Sequence, residues 1–230
     1  MSAFDLVVFD IAGTTVRDRG NVADAFIEAF ADYELRIPAG DVKKVMGFRK
    51  MDAIVLLLEK FAPASKDDGV LVDRIHTRFI QKMIEFYRND DTLAPLPHAE
   101  DVFRTLKQRG VKVALNTGFT RSITETILHR LRWDDRCPLI DQVICSDEVP
   151  HGRPYPDMIK VLMDSLGVRS AERVLKVGDT GVDVEEGRNA GCGKVVAVTT
   201  GAYTRKQLEP YKPDYIIDDL REILPLVEQE

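Results

Sequence analysis

Cysteine is scarce in this chain: Cys137, Cys145 and Cys192 are all that 230 residues contain. Their spacing matches no metal-ligand pattern, and an odd count in a chain of intracellular character points to reduced thiols. Long apolar runs are missing too. The longest purely aliphatic stretch, "IVLLL" at 54–58, is far shorter than a bilayer-spanning helix requires. The opening "MSAFDLVVFD" has no basic n-region and meets Asp5 before any long apolar run, so no secretory signal is visible and a cytoplasmic location is expected. Basic residues are not in excess. A net charge of -6 argues against a nucleic-acid surface, and neither nucleic acid nor membrane is an expected partner. Internal repeats and low-complexity tracts do not stand out. What remains is an ordinary soluble balance, 44% hydrophobic and 30% charged, with ample material for a core.

Two textures alternate along the chain. Short β-branched runs ending in polar or Gly-rich turns lie at 4–10, 111–116, 142–146, 173–178, 194–199 and 214–218. Helical patterns separate most of them, as in "AEDVFRTLKQRG" at 99–110, with Gly110 as its C-terminal cap. Such alternation predicts an α/β fold with a doubly wound parallel sheet. Between the first two strands the pattern changes. Val22, Phe26, Phe30 and Tyr33 recur at helical spacing, as do Ile54, Leu57, Leu58 and Phe61, then Ile75, Phe79, Met83 and Phe86. A crossover needs only about a dozen residues. The surplus predicts a helical cap domain over 17–88, inserted into a core of 1–16 and 89–230, with "NDDTLAPLPH" at 89–98 as the return hinge.

Open α/β sheets bind ligands at the carboxyl ends of their strands. The first strand delivers Asp10 there, followed by the Gly13-Thr14 loop with its free amides and hydroxyl. The second delivers Thr117 and Gly118 at a turn into a helix starting near Ser122, which has capping-box spacing to Glu125. A later strand runs into "GDTGVD", presenting Asp179 and Asp183, and Arg153 sits in the proline-flanked "GRPYP". Taken singly these are ordinary: turn formers, helix caps, a solvated arginine. Together they make a phosphoryl-transfer set. Carboxylates suit Mg²⁺, a guanidinium and a hydroxyl suit phosphoryl oxygens, and a strand-end aspartate can be the nucleophile. Many such sites carry a second carboxylate two residues on, but Ala12 stands there. Expelling an alkoxide from a phosphate ester benefits from a general acid. Expelling a carbanion does not, and calls for an electron sink such as a lysine imine.

"FDIAGTT", "NTGFT", "GRPYP" and "VGDTGVDVEEGRNAG" resemble, in order and over nearly the whole chain, the four motifs of the haloacid dehalogenase superfamily. The Asp-x-Ala-Gly-Thr form and the arginine of "GRPYP" are similar to the phosphonoacetaldehyde hydrolase (phosphonatase) family. The resemblance implies a Rossmann-like core with a helical cap, Mg²⁺ and an aspartyl-phosphate intermediate on Asp10. It further implies metal contacts from Asp10, the Ala12 carbonyl, Asp179 and Asp183, and a phosphoryl grip from Thr117 and Arg153. A homodimer through cap helices is also implied. The family's cap segment, Met-Gly-x-x-Lys, is matched by Met46, Gly47 and Lys50 in "VMGFRKMD", which makes Lys50 the Schiff-base candidate. Lys43, Lys44 and Arg49 would favour its neutral amine if they converged on it. Three positions depart from the family: Ala53 replaces a histidine, Phe119 a tyrosine, and Asn21 stands near a cysteine position. Carbon–phosphorus cleavage is therefore set beside a phosphomonoesterase of the same fold with Lys50 as a substrate contact. A phospho-aspartate receiver and a non-catalytic binding module are further readings, opposed by the long insertion and by the intact Asp10.

Overall fold

The computed structural model describes residues 2–134 and 137–228. Its sheet has six parallel strands: β1 (Leu6–Asp10), β2 (Lys112–Thr117), β3 (Gln142–Cys145), β4 (Val174–Gly178), β5 (Lys194–Val198) and β6 (Tyr215–Ile217). All six coincide with β-branched runs in the sequence. Parallel strands are covered on both faces and so read as continuous apolar stretches, and β1 is buried at every position. The order is β3-β2-β1-β4-β5-β6, with Asp10 opposite Asn116 and Phe9 opposite Val177. Connections run outward in one direction from β1 and in the other from β4. The switch point therefore falls between these two strands, where a crevice opens at their carboxyl ends.

Five α-helices lie between β1 and β2, and the first four come before the chain returns to the sheet: α1 (Asn21–Ala31), α2 (Ala39–Lys44), α3 (Lys50–Phe61) and α4 (Gly69–Asn89). The stripes on them are core. α1 buries Val22, Phe26 and Phe30, and the Phe26 ring packs 4.4 Å from Phe79 of α4. One expected position differs. The α4 stripe continues from Ile75, Phe79 and Met83 to Tyr87, leaving Phe86 36% exposed. A step of four keeps to the inner face there, and a step of three turns outward.

The two segments joining these helices to the sheet run side by side. Val16 bridges both Ala12 and Pro95, Leu96 N–H donates to Thr15 O at 2.8 Å, and Arg17 N–H donates to Ala94 O at 3.2 Å. The fifth, α5 (Ala99–Gln108), leads into β2, and α6 (Arg121–Leu131), α7 (Asp157–Leu166) and α8 (Gly181–Asn189) follow that strand. α5 ends as its sequence predicts, with Gly110 at φ +74°. α6 does not begin as expected: Thr120 is its cap residue, and the Ser122–Glu125 box does not form. Helical packing is continuous with the sheet, because α1, α3, α4 and the face of β1 and β2 share one apolar cluster.

Candidate functional site

Asp10 ends β1 and Asp179 follows β4, so the switch point places two carboxylates at one crevice. With them the cavity is lined by Ala12, Asp18, Val22, Met46, Gly47, Lys50, Thr117, Gly118, Phe119, Arg153, Thr180 and Ala202. It is small, with about 30 Å³ of room for the centres of water-sized groups. Gly13, Thr14 and Asp183 stand behind this surface. Thr14 Oγ1 donates to Asp179 Oδ1 at 3.1 Å, and a Cβ on Gly13 would come within 2.7 Å of Asp179 Oδ2. These residues orient a carboxylate from behind.

Arg153 is fully engaged. Its Nη1 donates to Asp10 Oδ1 at 2.7 Å and lies 3.0 Å from Asp183 Oδ1. Nε donates to Glu186 Oε2 at 2.9 Å, and Nη2 donates to both the carbonyl and the Oδ1 of Asn116 at 2.8 and 2.7 Å. Lys176, on the buried strand β4, donates to Asn116 Oδ1 at 2.6 Å and sits 3.1 Å from Asp183 and from Glu186. Three members of this network were given no role from the sequence: Asn116 and Glu186, which lie inside "NTGFT" and "VGDTGVDVEEGRNAG", and Lys176, which lies just outside. The charged Lys176 inside "VLKVG", an otherwise apolar strand, was the available clue, since a buried lysine must find carboxylates.

Charge in this layer is uneven. Asp10, Asp179, Asp183 and Glu186 are buried against the buried cations Arg153 and Lys176. Asp183 is held below the usual carboxylate range: burial opposes this, but Arg153, Lys176 and the Thr180 hydroxyl outweigh it. Asp10 is pushed up by burial, with Arg153 pulling back. Asp179 is pushed well above the usual range by burial and then by the charges of Asp10 and Asp183. It has hydrogen bonds from Thr14 and Ala202 but no ion pair among the described residues. Among the described residues no three acidic, histidine or cysteine side chains gather closely enough to hold a metal by themselves. Asp10 and Asp179 with the Ala12 carbonyl nevertheless form a hard-oxygen edge facing the cavity, and a divalent cation fits the uncompensated charge there.

Lys50 begins α3 and is 4% exposed. Its amine makes no hydrogen bond or ion pair among the described residues and lies 5.6 Å over the Phe26 ring and 5.1 Å over the Phe119 ring. Burial brings its pKa down to about 8. Arg153 adds to this, and Asp10, Asp18 and Asp179 oppose it. The neighbouring cations expected from sequence are not responsible. Lys44 is paired with Asp41, and Arg49 donates to Pro150 O at 3.0 Å. That last bond helps seat the turn 46–49 on the sheet side. Gly47, at φ +85°, and Gly118 allow the seating, for a Cβ on either would collide with the opposing segment.

The fold, a strand-end aspartate and its buried arginine describe a class of enzyme, and comparison with known proteins agrees. Residues 4–191 match the haloacid dehalogenase-like hydrolase family, and the chain belongs to it. Among curated relatives, the phosphonoacetaldehyde hydrolase of Bacillus cereus is 34% identical over 195 residues, covering 81% of this chain and 73% of its own length. Among solved structures, a phosphonoacetaldehyde hydrolase-like protein from Oleispira antarctica superposes with a TM-score of 0.83 at 21% identity, over 98% of this chain and 91% of that one. A hydrolase from Pseudomonas syringae gives 0.85 at 18% identity, over 96% of each chain. At these identities the two structures speak for the fold.

Proposed function

We propose that the enzyme is a Mg²⁺-dependent phosphonatase-like hydrolase that cleaves a carbon–phosphorus bond in a small aldehyde-bearing phosphonate, with the α1–α4 segment (residues 17–88) acting as its cap domain. The observation that carries the reading is Lys50: a buried amine with a pKa of about 8, in the same cavity as Asp10 and bound to no carboxylate. A lysine kept near neutrality beside an aldehyde forms an imine, and the iminium accepts the electron pair that the carbon–phosphorus bond releases.

Each remaining step falls to a residue in place. Arg153 holds Asp10 Oδ1, leaving Oδ2 to attack phosphorus and form the aspartyl phosphate. Thr117 Oγ1 accepts from Phe119 N–H at 3.1 Å, so its own hydrogen is free for a phosphoryl oxygen, and Gly118 brings backbone close to the same place. Met46, Gly47 and Phe119 close the cavity against bulk water around the organic part. Asp10, Asp179 and the Ala12 carbonyl would hold the Mg²⁺, with the charge of Asp183 behind them. The ion would supply charge neutralisation on the phosphoryl oxygens. The electron pair leaves an enamine on Lys50, which takes a proton on carbon to return to the iminium; water then adds to that carbon, releasing the aldehyde and freeing Lys50, and water cleaves the aspartyl phosphate.

A second reading, a phosphomonoesterase with Lys50 as a substrate contact, is favoured by one observation. Buried Ala53 offers no proton-transfer atom, and no histidine lines the cavity. Lys50→Arg separates the two readings. Guanidinium stays protonated, so phosphonoacetaldehyde cleavage and borohydride-trapped adduct at position 50 should both disappear. Brisk hydrolysis of a phosphate ester by the wild type, without any adduct and with arginine tolerated, would replace the first reading by the second.

A further inference from the structure

An imine at Lys50 requires proton transfers, and one carboxylate lining the cavity with that amine has no part in the phosphoryl chemistry. Asp18 lies in the segment that leaves the sheet for α1 and lines the cavity together with Lys50. Gly20 N–H donates to its Oδ1 at 2.9 Å, and the amides of Asn21 and Val22 also point at the carboxylate. The side chain is thus held by backbone and makes no ion pair among the described residues. Arg17 and Arg19 flank it in sequence, yet the cation whose charge acts on it is Lys50.

We infer that Asp18 is the proton-transfer partner of Lys50, doing through that amine what a side chain at Ala53 cannot. The assignment rests on the imine reading of the site. The other charged groups facing Lys50 have roles of their own: Asp10 as nucleophile held by Arg153, Arg153 on its four partners, and Asp179 at the metal edge, bonded by Thr14 and Ala202. From α4, Tyr87 faces Asp18 with a phenol that burial raises far above neutrality, so it stays protonated. Burial also raises Asp18 and lowers Lys50, which brings the two proton affinities toward each other and makes transfer between them easy.

The protons balance without a further reactant. Asp18 takes one proton from the Lys50 ammonium, and the free amine attacks the aldehyde carbon. The carbonyl oxygen, now carrying the electron pair, receives that proton. Asp18 next takes a proton from the nitrogen of the adduct and passes it to the hydroxyl. That group leaves as water when the nitrogen lone pair closes the C=N bond, and Asp18 ends as the carboxylate it began as.

The test is rapid borohydride quenching of the full-length enzyme mixed with phosphonoacetaldehyde, following adduct at Lys50 over time. Asp18→Ala should slow adduct formation by about 10²-fold, the lower range for a lost acid–base group. Added formate should restore much of the rate, and Asp18→Glu should keep part of it. A structural role would show neither rescue. Equal trapping rates in wild type and Asp18→Ala would overturn the assignment while leaving the imine intact. So would a loss that neither formate nor glutamate relieves. No adduct in the wild type would overturn the imine reading itself, and this assignment with it.

Discussion

Lys50 is costly for the protein to keep. Its pKa falls from 10.5 to about 8, so at neutral pH the ammonium is less stable in the fold than in the unfolded chain by about 3 kcal/mol, at ~1.36 kcal/mol per unit. The sign follows from proton counts. Between about pH 8 and 10.5 the unfolded chain holds the extra proton, so Lys50's contribution to stability improves as pH rises through that window and is worst below it. Lys50→Met keeps the stem's packing and removes the charge. It should raise the melting temperature at pH 7 by several degrees, at roughly 2–4 °C per kcal/mol for a chain of this size, and the gain should shrink when the melt is repeated above pH 10. An unchanged or lowered melting temperature at pH 7 would mean that Lys50 is not under this strain. The motif residues Asp10, Lys50, Thr117, Arg153 and Asp179 were visible in the sequence because each sits at a fixed offset from a strand end or a glycine turn. Asp18, Asn116, Lys176 and Glu186 were not. The partners of the last three lie across the sheet, as Asn116 and Glu186 do at 70 positions' separation, and no local spacing records that; Asp18 is bonded locally, and only the fold brings it into the cavity with Lys50.

Elements were legible where burial repeats. The six strands and the stripes of α1, α3 and α4 announce themselves, since a parallel strand is apolar throughout and a helix is apolar every third or fourth residue. Terminal details were less so. The predicted capping box at Ser122 and Glu125 gives way to Thr120, whose extended backbone carries the chain out of β2 into α6. The turn at 46–49 is the element on which closure depends, and Gly118 is the position that admits it. A methyl there would strike the carbonyls of Phe48 and Gly47. Gly118→Ala should therefore leave the sheet folded, expose amides 46–52 to faster hydrogen exchange, and lower turnover through loss of Lys50 from the cavity. Unaltered exchange over 46–52 would show that the turn is not seated through this contact.

At the scale of the whole molecule the buried charge decides the response to ions. Four carboxylates share one layer with two fixed cations, and Asp179 has none of its own. A divalent ion that binds there should stabilise the native state by RT ln(1 + [L]/Kd), about 2.7 kcal/mol at a hundredfold excess over Kd. Melting curves with and without Mg²⁺ should separate by roughly 5–10 °C, at ~2–4 °C per kcal/mol. Asp179→Asn should abolish most of that separation. A shift that survives in the variant would place the ion elsewhere.

The paired segments at Val16 and Pro95 have a consequence for descent. Because the chain departs and returns through neighbouring positions, what lies between is a cassette whose ends are already joined. Its length and content can drift, or be exchanged outright, while the sheet keeps the same register. On the proposed function, aspartate chemistry and substrate choice would then be separable traits, with Asp10 and Arg153 carried outside the cassette and Lys50, the proposed imine residue, carried within it.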